Sequence, residues 1–178
     1  MSTKPPLPDS ESLIRLMNRL PRASDISEAI AVLRDELLEI LPDVDQVVVG
    51  VDMMRDLPDP DGYPAVAGSV RQFMVHDGSG RRVMITVADP RSPSSSTLLE
   101  LCRENGYPDE LYHPPVCFEI EYHDQRPLGT IVLWRSIAKA PIHRRTLAFM
   151  PHLLPFLGNV LANTMMRHDI VSPPKGFC

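Results

Sequence analysis

The chain has 178 residues, 43% of them hydrophobic and 23% charged, with a formal net charge of −5. That length suits a single domain, which buries roughly 70% of its unfolded surface, and the composition excludes a wholly disordered or membrane-embedded chain. Arg81-Arg82 and Arg144-Arg145 are isolated pairs and not a basic stripe, so nucleic acid is not an expected partner.

Met1 to Glu11 lacks an apolar leader segment and carries Asp9 and Glu11. No run approaches the roughly 20 apolar residues of a spanning helix. The expectation is a soluble, cytoplasmic protein with no membrane partner. Cys102, Cys117 and Cys178 have neither zinc-like nor CxxC spacing, which fits a reducing compartment and free thiols. The 19 prolines gather in Lys4–Pro8, Leu57–Pro64, Pro90–Pro93, Tyr107–Pro115 and the tail, where they mark loops.

Leu13, Leu16, Met17 and Leu20 keep helical spacing before Pro21 and predict a short first helix appended to the domain. Asp25 and Glu28 are spaced as a capping box. Behind them Ile26, Ile30, Leu33, Leu37 and Leu41 form one apolar stripe that ends at Pro42. Val44 to Asp52 reads VDQVVVGVD, too continuously apolar for a strand with one solvated face, and predicts a central strand covered on both sides.

Val70–His76 and Arg82–Ala88 flank Asp77-Gly78-Ser79-Gly80 and predict a hairpin. Thr97 and Glu100 cap a helix carrying Leu98, Leu99, Leu101 and Cys102, which stops at Asn105-Gly106. A second hairpin spans Pro115–His123 and Pro127–Ser136. Val116, Phe118, Ile120 and Tyr122 share one face of its first strand, and Ile131 and Leu133 oppose Val132 and Trp134 on its second.

From Ile142 to about Ile170 a long helical pattern carries two seams. One is Leu147, Met150, Leu154, Leu157 and Leu161; the neighbouring one is Phe149, Leu153, Phe156 and Val160. Two seams exceed what one sheet face needs, so the second is expected either at a homodimer interface or under the N-terminal helix. Pro151 and Pro155 are expected to kink or divide the helix.

The order helix, strand, hairpin, crossover helix, hairpin, long terminal helix resembles the GAF domain. The most specific residues are Pro127-Leu128-Gly129-Thr130-Ile131-Val132-Leu133-Trp134, similar to the last GAF hairpin strand. Leu147-Ala148-Phe149-Met150-Pro151-His152-Leu153-Leu154 resembles the terminal helix of GAF-type domains upstream of LuxR-type regulators. The resemblance implies an α/β (α+β) fold with an antiparallel sheet of about five or six strands, helices on both faces and a long C-terminal helix. It divides the chain into an N-terminal extension (1–22), a GAF-like domain (23–170) and a tail (171–178). It also implies a sensory module that binds a small molecule and signals through its terminal helices. No NKFDE-like cyclic-nucleotide signature and no Cys-His dipeptide for bilin attachment is present, so the ligand's identity, like any cofactor, stays open.

On the Pro115–His123 strand the face opposite the apolar one carries Cys117, Glu119, Glu121 and His123. Three readings fit that line: a solvated strand face, a ligand cavity under the crossover helix, or a divalent-metal chelate of Glu121 and His123 with His113 or Cys117 as a third ligand. For the cavity, strand parity selects Gln72, Met74, Thr86, Tyr112, Cys117, Glu119 and His123, and a one-residue shift would exchange the faces. Cys117 is the one candidate nucleophile, but Glu119 two residues away is expected to raise its thiol pKa and leave it inert. Ser92 to Ser96 lack a GxSxG elbow and no phosphate loop opens a helix, so no motif makes the chain an enzyme.

Overall fold

Asp25 starts the first well-capped helix in the computed structural model, which describes residues 10–57, 66–76, 82–89, 95–104, 110–122 and 126–171. Its side chain accepts the Glu28 N–H at 2.8 Å. The return bond of a capping box would reach the Asp25 backbone; here Glu28 instead accepts from the Ser24 N–H and Ser24 hydroxyl at 2.6 and 2.7 Å, one residue earlier. The helix α2 then runs Ile26–Ile40. Before it, α1 (Ser10–Arg19) and a 3-10 turn (Leu20–Arg22) are tied into the main core by Leu16 and Leu20, both fully buried.

Among the described residues five strands follow: β1 (Gln46–Leu57), β2 (Val66–His76), β3 (Arg82–Asp89), β4 (Val116–Tyr122) and β5 (Arg126–Trp134), with α3 (Ser95–Glu104) between β3 and β4 and α4 (Arg144–Val171) after β5. They pair antiparallel in the order β3-β2-β1-β5-β4. The fold is thus mixed α/β, with β1 central. No helix among the described residues is long and apolar enough to cross a membrane.

Period-two alternation divides the sheet between two cores. Val47, Val49 and Val51 of β1, Ile131 and Leu133 of β5, and Ile120 of β4 join α2 and α4 in the larger one. Val48, Val132 and Trp134 point the other way and pack with Leu98 and Cys102 of α3 in a smaller one. The valine run of β1 is therefore buried on both faces, as its continuity demands. Gly129 lies where β5 meets β1: a Cβ there would overlap the Gly50 carbonyl oxygen, so only glycine allows this close approach.

Helix α4 is unbroken through Pro151 and Pro155. Both prolines are exposed, so the carbonyls that lose a helical N–H partner, those of Leu147 and Pro151, belong to a helix whose other face is seated on the protein. It packs mainly on β4 and also against α2. That double contact disposes of both apolar seams: Leu153 and Val160, expected at a dimer interface, are buried in the chain's own core, and Phe149 and Phe156 are half-buried against it. The helix uses more of its circumference inside the monomer than one sheet face would require.

Candidate functional site

The smaller core is apolar, with the polar groups of Tyr112 and Cys117 at its edge. Its floor is Val48, Val132 and Trp134, its roof Leu98 and Cys102, and its half-buried rim Leu99, Tyr112 and Cys117. Tyr112 is brought in by a single antiparallel bridge to Ser136, flanked by bonds from the His113 N–H to the Arg135 carbonyl at 2.8 Å and from the Ile137 N–H to the Leu111 carbonyl at 3.0 Å. Its ring meets Trp134 edge to face, with centroids 5.6 Å apart.

Cys117 sits on β4 opposite Val132. Burial pushes its thiol pKa up, the Glu119 carboxylate adds to this, and Arg103 opposes it. The sulfur is therefore held as the neutral thiol near pH 7, a weak nucleophile. Desolvation is the larger cause here, whereas the sequence pointed to Glu119 alone. Tyr112 is likewise raised, by burial first and by Asp45 second.

The expected lining residues do not fall in one row of the sheet. Gln72 is in register with both Val51 and Thr86, and Met74 lies two residues along from Gln72. That is the row of Val51, which belongs to the larger core. Cys117 and Glu119 are in register with Val132 and Thr130, the alternate row. Register therefore separates Gln72, Met74 and Thr86 from Cys117 and Glu119, the one-residue exchange that a period of two makes possible. Tyr112 and Cys117 meet on the rim of the same cluster; Glu119 is exposed. His123 lies outside the described residues.

Glu121 is exposed too. Between Ile120 and Glu121 the register shifts, so that Ile120 faces Gly129 and Glu121 faces Pro127. Among the described residues no three His, Cys, Asp or Glu side chains cluster as a metal site would need.

Two charged arrangements were not visible in the sequence. In the first, Glu36 of α2, almost fully buried, accepts from Arg15 Nε at 2.7 Å and Arg19 at 2.5 Å, both on α1. The pair borders a cleft of about 540 Å³ that Arg34, Asp35 and Glu39 also line. Its three guanidiniums balance its three carboxylates. A glutamate set between Leu33 and Leu37 of the apolar stripe was the available signal.

In the second, the turn between α2 and β1 holds the segment between β5 and α4. Asp43 accepts from the His143 N–H and the Thr146 hydroxyl, each at 2.7 Å. Asp45 accepts from the Ser136 N–H at 2.8 Å and from Lys139 at 2.5 Å, with Arg135 at 3.5 Å. Burial by itself would raise the Asp45 carboxyl, but Lys139, the Ser136 N–H and Arg135 together outweigh it and hold the pKa below the usual carboxylate value.

Compared with known proteins, the chain matches no family model and no curated sequence.

Proposed function

We propose that the chain is a GAF-like sensory module that takes a small, largely apolar molecule against the α3 face of its sheet and signals through its terminal helices. The observation that carries this reading is the rim of the smaller core: an aromatic pair, Tyr112 on Trp134, beside the half-buried Cys117. Small ligands are oriented by apolar side chains with a few polar groups among them. An antiparallel sheet with helices on both faces, and the placement of the family-like residues in β5 and α4, support the same reading. The reading assigns no reaction, and the burial that raises the Cys117 thiol pKa makes that sulfur a weak nucleophile.

Native mass spectrometry of freshly purified protein, beside a denatured sample and one treated with chelator, tests it. A releasable organic mass, lost from a Trp134→Ala variant that remains folded, supports a ligand on this face. An empty chain that also gains no thermal stability from a library of small aromatic and heterocyclic compounds overturns it.

A second reading, a docking module for another protein or a second copy, is favoured by α1, where Ile14 and Met17 are 60% and 49% exposed. Light scattering on the wild type and on an Ile14→Glu, Met17→Glu variant decides it. A dimer that the variant dissolves would support self-association through α1.

A further inference from the structure

Strand β4 has one face in each core, and among the described residues it ends the sheet, paired with β5 alone. Cys117 packs on the α3 side, whereas Phe118 and Ile120 pack in the core shared with α2 and α4. At Ile120 and Glu121 its register with β5 shifts, so the ladder that would hold the strand in place is interrupted there.

Gly158 of α4 meets the strand at that point. A Cβ on Gly158 would overlap the Glu121 carbonyl oxygen, and the Glu121 carbonyl carbon would lie 3.1 Å from it. Helix backbone therefore rests on strand backbone with no side chain between them. Side chains absorb small displacements by changing rotamer, but a backbone-on-backbone contact has no such slack. Gly158 is buried, and the residues beside it in the helix, Leu157, Val160 and Leu161, are core residues.

From this we infer that the contact between Gly158 and Glu121 is a mechanical coupling point: displacement of β4 on its Cys117 face is passed directly to the middle of α4. The inference rests on the sensory reading for its purpose, not for its test.

The test uses Cys117 itself as the wedge. In the full chain with Cys178→Ser, Cys117 is alkylated with N-ethylmaleimide, and hydrogen exchange is followed by mass spectrometry. The expected result is exchange at least about threefold faster in α4 peptides covering residues 154–162, with α1 unchanged. Faster exchange confined to α3, β4 and β5 overturns the coupling. If the adduct unfolds the chain, seen as uniform exchange including α1, Cys117→Val is the gentler wedge and is judged by the same two outcomes. A small-molecule search that fails removes the sensory reading and leaves this result untouched; unchanged exchange in α4 removes the coupling and leaves the sensory reading open to its own test.

Discussion

The Asp43 carboxylate accepts the Thr146 hydroxyl at 2.7 Å across 103 residues of sequence, and with the His143 N–H it anchors the start of a helix that its own segment does not belong to. N-caps usually come from the residue just before the helix. Here that residue, His143, accepts the Arg145 N–H on its Nδ1 at 3.2 Å, while Asp43, from the turn after α2, braces the same first turn from outside the helix.

Asp43→Ala should therefore destabilise the protein by about 1–3 kcal/mol, since it removes two hydrogen bonds to a carboxylate. Thr146→Val should cost less in the Asp43→Ala background than alone, because the two share one bond. Urea unfolding of the four proteins in a double-mutant cycle measures both effects.

Asp45 predicts the acid limb of stability. Its folded pKa is lowered from a value near 3.8, so its contribution is full above that value and is lost as pH falls through the folded pKa. Asp45→Asn should lower stability at pH 7 and flatten the loss between about pH 4 and pH 2. Thermal melts of both proteins across that range check the sign.

Glu36→Ala should cost about 1–3 kcal/mol, since it removes two charge-assisted bonds to a buried carboxylate. Exchange in α1 should accelerate before that in α4, because Glu36 joins α1 to α2. Hydrogen exchange resolved by peptide is the measurement.

Gly158→Ala should destabilise by roughly 1–3 kcal/mol from overpacking, although alanine is the better helix former by about 1 kcal/mol. Asn159→Ala, one residue on at an exposed position, should be neutral or stabilising. Opposite signs in the two melting temperatures would identify the contact with Glu121 as the cause.

Cys117 should react with a maleimide more slowly than a free thiol, and its rate should rise with pH through a midpoint above the ordinary value of about 8.5. Cys102, fully buried, should react only on unfolding. Peptide mapping after timed labelling separates the two.

How far the sequence could be read depended on the range of the signal. Alternation within β4 and β5 separated Ile131 and Leu133 from Val132 and Trp134, because a strand's period of two needs only neighbours. The continuous valines of β1 announced a strand buried on both faces for the same reason. Which face of the sheet Gln72 and Thr86 share with other strands was not legible, since it depends on register between segments far apart in the chain. The Phe149, Leu153, Phe156 and Val160 seam was legible as apolar, but not as internal, because that depends on α4 touching α2 and β4 at once. Asp43, Asp45 and Glu36 carry no motif: their partners lie 17 to 103 residues away.

Each face of the sheet has its own set of buried side chains. Among the described residues the α2–α4 side buries more than twenty side chains, and the α3 side five. Opening free energy follows buried contact, so a domain need not come apart as one unit. The two faces of one sheet can therefore open separately, α3 lifting from Val48, Val132 and Trp134 while Val47, Val49 and Val51 stay covered by α2 and α4.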